Sequence, residues 1–474
     1  MASSNLFSLQ SQGLAAVSLL VVIVVLGLAL RLFKSRKSPT PAIETPHILQ
    51  FPPSRRHVLA GLSQFEKSVS TADIPPTILK SHALPSTKAG SLTIPNQYTP
   101  TGFSTQDIHL IGRFPDYSLL TGIRAPVPVP PEWDVTRAKF RPYRPFRWNY
   151  HQHMALQKFE PDFWIELEQN YHATMAARQS LLTKHASMIF FESPSPACAL
   201  AVRELMEMAL QFLTQRYPSH FSLSPDNTLF HNRLLGTTTN LLGTPPLRVL
   251  FDNVPEDYAI MLRNESTGFY HLRAAAVCSS VGWHIGQHRD SPLRNIHTHV
   301  PDAEKMAMSM DRWFSKVPTD GAVNRCSWSL EDWQAMFTTP ELEEDWQRSA
   351  FTRNPDNLEV KDVKLRCDAQ TIRRLPVSGA VVFNFKAIFT PLEELRGERY
   401  VPALLLKVLR EGKGNLIEYK CVEHVKRVAG SALAMWAREQ VGQGLVERDW
   451  EVGTLDESPF FPGWEEKWRA SQGF

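Results

Sequence analysis

Residues 365–395 read LRCDAQTIRRLPVSGAVVFNFKAIFTPLEEL. The part from Gly379 to Phe389, GAVVFNFKAIF, alternates apolar and polar residues, is rich in β-branched and aromatic side chains, and is followed by Pro391. That pattern predicts a β-strand. Upstream, Arg366, Asp368 and Gln370 recur at every second residue and would share one face of a strand.

The same period extends outward. DYAIML (257–262), FYHLRAAAVC (269–278) and YVPALLLKVL (400–409) also read as strands. Before about Asn227 the period is that of helices. Trp164, Leu167, Tyr171, Met175 and Leu182 place an amphipathic helix over DFWIELEQNYHATMAARQSLL (162–182). Val202, Leu205, Met206, Ala209 and Leu213 place a second one, ended by Pro218. A helical tail is predicted from Cys421 to Gln440. The chain therefore reads as α+β, a sheet interrupted by helical insertions with helices of the first half packed beside it.

The 474 residues are 43% apolar and 21% charged, an ordinary globular composition. A formal net charge of +3 gives no case for nucleic acid. Five cysteines, widely spread and without a C-x-x-C, exclude a disulfide framework, a structural zinc site and an iron–sulfur cluster.

At the N-terminus no charge occurs from Met1 to Leu30. GLAAVSLLVVIVVLGLAL (13–30) is followed by Arg31, Lys34, Arg36 and Lys37. At ~1.5 Å per residue this run reaches most of the way across a ~30 Å hydrocarbon layer. The basic flank on its C-terminal side predicts one transmembrane helix with the body in the cytosol, at an internal membrane such as the endoplasmic reticulum. Three divisions follow: a membrane anchor at 1–37, a Pro/Ser-rich tether and surface arm at 38–136, and the folded domain at 137–474.

The motifs that carry chemistry cluster in HRDSPLRNIHTHVP (288–301). H-R-D-x-x-x-x-N matches a kinase catalytic loop, but the chain has neither a G-x-G-x-x-G nor a D-F-G to accompany it. No Walker A or Rossmann fingerprint is present either. Cys421 lacks the Gly-containing loop that a thiolate-haem oxygenase needs. His288 and Asp290 form an H-x-D that, with His424, has the composition of a non-haem iron triad. His297 and His299 offer further ligands, although a lone histidine is a weak signal.

Ordered blocks of the chain resemble the haem-dependent oxidative N-demethylase-like family, known from the haem subunit of dimethylamine monooxygenase systems. MALQKFEPDFWIELEQNYHATMAARQSLL (154–182) is similar to its opening helix, VPEDYAIML (254–262) to its E-D strand, and GWHIGQHRDSPLRNIHTHVP (282–301) to its I-H-x-P-V-P segment. NRCSW (324–328) is similar to its R-x-N-W block, and residues 365–395 to its R-x-E-R-Q-T-L-x-R-L-P block. The resemblance runs from about Phe146 to Glu411. Arg366, Gln370, Thr371, Arg374 and Pro376 match. Asp368 stands for a Glu, Ala369 for an Arg, Ser327 for an Asn and His299 for a Pro.

The resemblance implies a PAS-like antiparallel sheet with flanking helices, and haem b with His297 as the axial iron ligand. His299, Arg366 and Arg374 would bind the cofactor, and Asp368 and Gln370 would be catalytic. It implies a monooxygenase that uses O2 on a small organic substrate, by N-demethylation or a related hydroxylation. With no flavin or nicotinamide motif in the chain, electrons are expected from a separate reductase. The alternatives are a non-haem iron oxygenase built on His288 and Asp290, and a non-catalytic haem sensor.

Overall fold

The computed structural model describes residues 99–101, 103, 108–109, 111–151, 153–298, 300–347 and 355–472. The strands among them are β1 (Gln157–Lys158), β2 (Phe190–Glu192), β3 (Phe221–Leu223), β4 (Leu229–Asn232), β5 (Thr237–Asn240), β6 (Asp257–Arg263), β7 (Tyr270–Ala276), β8 (Ser280–Val281), β9 (Val323–Glu331), β10 (Phe337–Thr338), β11 (Lys364–Arg374) and β12 (Val381–Pro391). The main sheet has seven strands in the order β1-β9-β11-β12-β6-β7-β2, and every neighbour is antiparallel.

The helices are α1 (Tyr117–Thr121), α2 (Tyr171–Ile189), α3 (Pro196–Arg216), α4 (Pro246–Asn253), α5 (Leu293–Ile296), α6 (Ala303–Lys316), α7 (Glu343–Trp346), α8 (Val401–Glu411), α9 (Gly414–Lys420), α10 (Glu423–Gly442) and α11 (Trp464–Gln472). The molecule is thus a mixed α+β structure built on an antiparallel sheet.

The predicted membrane anchor over 1–37 lies outside the described residues, as does most of the tether. Among the described residues no helix is long and apolar enough to cross a membrane. The transmembrane element and the single-pass membrane location expected from the sequence are corrected accordingly. The described part of the arm packs on the body. Val129 N–H donates to Arg216 O at 2.8 Å, and Trp133 meets the Tyr217 ring at 4.9 Å.

Strands β11 and β12 pair residue for residue, from Lys364 opposite Pro391 to Arg374 opposite Val381. This pairing separates two faces. Leu365 and Cys367 turn to a core with Leu404, Leu405, Val408 and Leu409 of α8 and with Leu433 and Trp436 of α10. Ile372, on the alternate set, packs with Met261, Leu272, Leu293 and Met310 on the opposite face. Each fully buried leucine contributes roughly 1.5–3 kcal/mol.

Two elements differ from the sequence reading. YVPALLLKVL is helix α8, not a strand. Pro402 sits in its first turn, where a missing N–H costs nothing, and Val401, Leu404, Leu405 and Val408 form one buried stripe at helical spacing. Helix α2 begins at Tyr171, nine residues inside the expected span (162 to 171). The segment before it spends its backbone on tertiary bonds. Leu167 N–H donates to Tyr217 Oη (3.2 Å), which donates to Ile165 O (3.0 Å), and Trp164 Nε1 donates to Asn384 Oδ1 at 2.9 Å.

Under this segment lies a buried acid. Glu256 Oε2 accepts from Asn384 Nδ2 at 2.8 Å. Burial pushes its carboxyl up to about 7, only partly offset by Lys386 and by the Asn384 hydrogen bond. The folded state therefore holds this proton more tightly than the unfolded chain. Its stabilising effect is complete below the ordinary glutamate range and is lost as pH rises towards 7. Glu256→Gln, which needs no proton, should gain stability relative to the native chain between pH 5 and pH 8, by roughly 3 kcal/mol. Urea denaturation of both proteins at the two pH values measures this. Parallel pH profiles would refute it.

Candidate active site

The face of the sheet opposite α8 and α10 carries a cavity of about 510 Å³. Its floor is apolar: Ala259 and Met261 from β6, Leu272 from β7, Phe383 and Phe385 from β12. Its wall is polar and comes from two paired strands. The register sets Ser329 against Arg366, Ser327 against Asp368 and Arg325 against Gln370, and all six line the cavity. Trp283, Met306, Met310 and Trp346 close it from other sides. The shared face predicted for Arg366, Asp368 and Gln370 is therefore the face that meets the cavity.

His297 lines the cavity at the C-terminal end of α5. Its Nδ1–H donates to Leu293 O at 3.2 Å. A carbonyl only accepts, so the proton sits on Nδ1 and Nε2 is left with an open lone pair. Burial holds the imidazole below its ordinary pKa against the Leu293 hydrogen bond, with Arg325 adding to the depression. Burial thus favours the neutral ring, whose remaining nitrogen can accept. His299 lies outside the described residues.

His288 is buried and lines the same cavity, with Nε2 at 3.2 Å from Gln287 Nε2. Asp290 is not among the lining residues. It is half exposed and accepts from Arg273 Nη1 at 2.5 Å and Ser193 Oγ at 2.9 Å. His424 pairs with Asp332 at 3.2 Å. The three residues of the alternative iron triad are thus not brought together. Among the described residues no group of three His, Cys, Asp or Glu side chains converges on a metal position.

Arg366 spans the wall. Its Nε donates to Asp368 Oδ1 at 3.0 Å and its Nη2 to Ser279 O at 3.2 Å, while Glu331 lies 3.9 Å from Nη1. Burial opposes its charge, but Asp368 and Glu331 outweigh burial and raise its pKa. The Oε1 of Gln370 and the Nε of Arg325 are buried with no hydrogen-bond partner.

Arg374 shares the strand face but lies beyond the cavity. It donates to Val317 O and Gly379 O, each at 2.7 Å, to Tyr270 Oη at 2.7 Å, and to Phe314 O. It ties the end of α6 to the sheet and is placed to hold scaffold, not ligand. Arg373 points to the other face, 4.4 Å from the Trp164 ring.

Two site residues escaped the sequence reading. Arg325 was within NRCSW, and the period of β9 would have turned it towards Gln370. Lys420, the last residue of α9, carries no sequence signal. Its Nζ donates to Ser327 Oγ at 2.7 Å. Burial pulls its pKa down to about 8; Asp368 resists the shift and Arg325 adds to it.

A single open imidazole cannot retain a bare metal ion, so a metal held here must bring most of its own ligands, as an iron porphyrin does. An apolar floor suits a flat macrocycle, and the cationic wall suits its carboxylates. Residues 155–429, more than half of the chain, match the family described as Haem-dependent oxidative N-demethylase, alpha subunit-like.

Proposed function

Since the chain belongs to the haem-dependent oxidative N-demethylase alpha subunit-like family, we propose that it is a haem b monooxygenase acting on a small organic substrate by oxidative N-demethylation or a related hydroxylation. The observation that carries this reading is His297, which lines the 510 Å³ cavity with its Nδ1 engaged by Leu293 O, so that a ligand would be taken by Nε2. The unpartnered Arg325 Nε and Gln370 Oε1 fit a site shaped for a polar-edged ligand.

Bound haem supplies reductive activation of O2 and hydroxylation beside a heteroatom, which for an N-methyl amine releases the demethylated amine and an aldehyde. The chain's own residues set the stage for this. Asp368, held by Arg366, is the carboxylate that can pair with a protonated amine or hold a proton near the reacting carbon. Gln370 Oε1 is an acceptor for a substrate N–H. Met306, Met310, Trp283 and Trp346 exclude water. Electrons come from a separate reductase, because the sequence has no flavin or nicotinamide motif.

The test is an absorption spectrum with iron content, followed by oxygen uptake. The purified chain should show a Soret band. With a reductase fraction and an N-methyl amine it should consume oxygen steadily and form aldehyde. Iron without a Soret band would sink the haem reading. Haem without sustained oxygen uptake would leave a sensor instead of an enzyme.

A further inference from the structure

The polar wall of the large cavity has a second side. A pocket of about 50 Å³ lies against it, and Arg325, Ser327, Trp328 and Lys420 line both spaces. The outer pocket adds Arg147, His151 and His153, and no Asp or Glu is among its lining residues. In the inner cavity, Arg366 lies beside both carboxylates, at 3.0 Å from Asp368 and 3.9 Å from Glu331. Arg325 and Lys420 make no ion pair among the described residues. The Nε of Arg325 is buried without a partner, and the Nζ of Lys420 meets only neutral groups, the Ser327 hydroxyl at 2.7 Å and the Tyr419 ring at 5.3 Å from its centroid.

Two neighbouring cations withdrawn from water and sharing one nearby carboxylate, Asp368, with which neither forms an ion pair, are unfavourable, and burial holds both side chains below their ordinary pKa although Asp368 resists the shift. A planar carboxylate answers both deficits. It accepts from a guanidinium and an ammonium together, and its head group is small enough for the narrow outer pocket. The rest of such a ligand would lie in the apolar-floored cavity.

We infer that Arg325 and Lys420 form a carboxylate-binding site at the wall between the two cavities, specific for a ligand with an apolar body and an acidic end. The carboxylate belongs either to a haem propionate or to the organic substrate. The first source rests on the haem reading above; the second does not.

The experiment uses the full chain, with Arg325→Leu, Lys420→Met and the charge-conserving Lys420→Arg. In one arm the haem-free protein is titrated with haemin and with haemin dimethyl ester, whose propionates are blocked. In the other, haem-loaded protein is titrated with benzoate and with the neutral benzamide, read at the Soret band. A propionate source makes the ester bind the native chain at least about tenfold more weakly than haemin, the worth of one charge-assisted bond. Arg325→Leu and Lys420→Met then lose that preference and Lys420→Arg keeps it. A substrate source makes haemin and ester alike, while benzoate, not benzamide, perturbs the native spectrum and fails to do so in the two neutral variants.

The inference is overturned if the native chain distinguishes neither pair, or if both neutral variants keep the native preference. The native comparisons stand even where a variant fails to fold. If the chain binds no haem, benzoate is titrated against it by intrinsic tryptophan fluorescence, to which Trp328, bordering both spaces, and Trp283 and Trp346 of the inner cavity contribute. Quenching by benzoate alone, lost in the neutral variants, supports the carboxylate site although the haem reading has failed. Equal responses to benzoate and benzamide overturn it.

Discussion

His297→Ala should remove the Soret band and lower haem affinity by more than about a hundredfold, since replacing outer partners of a metal ligand alone costs roughly 10–100-fold. The reasoning is geometric. The Nδ1–H bond to Leu293 O fixes which nitrogen is left to ligate, and burial favours the neutral ring. No group of metal ligands among the described residues is assembled to take its place. His288→Ala sets the control, because His288 lines the same cavity and would perturb the band without abolishing it. Asp290→Ala should leave the spectrum unchanged, since that carboxylate is engaged with Arg273 and Ser193. Spectra and iron content of the three variants, measured side by side, decide the matter. Full haem in His297→Ala together with metal loss in His288→Ala would return the non-haem reading. Free imidazole added to His297→Gly should restore part of the band, which a merely structural role for the ring would not allow.

The largest loss of stability should come from Asp257→Ala, about 3–5 kcal/mol. Asp257 opens β6 and is fully buried. Its Oδ1 accepts from Arg178 Nη1 at 2.5 Å and from Cys278 N–H at 2.8 Å, and its Oδ2 from Ser279 N–H at 2.7 Å. Removing the carboxylate strands two backbone donors and a buried guanidinium whose Nε and Nη2 already lack partners. The effect should reach the site, because Ser279 lines the cavity and its carbonyl receives Arg366. Urea denaturation at neutral pH gives the magnitude. Coupling Asp257→Ala to Arg178→Met should recover part of the loss by removing the unpaired charge. A loss below about 1 kcal/mol would show that the pair is solvated.

The strands were legible where alternation was strict. GAVVFNFKAIF became β12 with Phe383 and Phe385 towards the cavity, and Arg366, Asp368 and Gln370 fell on one face as their spacing required. YVPALLLKVL misled because an unbroken apolar run does not separate a buried strand from a buried helix stripe; Pro402 near its start was the signal that should have decided it. The start of α2 was misplaced because Trp164 and Leu167 are buried through tertiary hydrogen bonds, which leave no trace in periodicity. His297 could be singled out only through the family's I-H block, since its open nitrogen depends on a carbonyl at Leu293 within a four-residue helix. Lys420 was invisible: it meets Ser327 across a sequence separation of 93 residues. Arg374 matched the family's block yet sits beneath the end of α6, so a matching letter gave its presence and not its role.

Strand β11 serves two masters at alternate residues, and this constrains how the protein can diversify. Residues 366, 368 and 370 address the ligand, while 365 and 367 address the helices behind the sheet. Exchanges at the even positions can retune selectivity while the odd positions remain in their core, provided Arg366 and Asp368, paired at 3.0 Å, change together. Insertion or deletion of one residue would swap the two sets, carrying leucine and cysteine into the cavity and an arginine and an aspartate into the hydrophobic interior. Lineages of this chain are thus free to vary the alphabet of β11 but not its count, and novelty in substrate should appear as point replacements along one edge of an invariant-length strand.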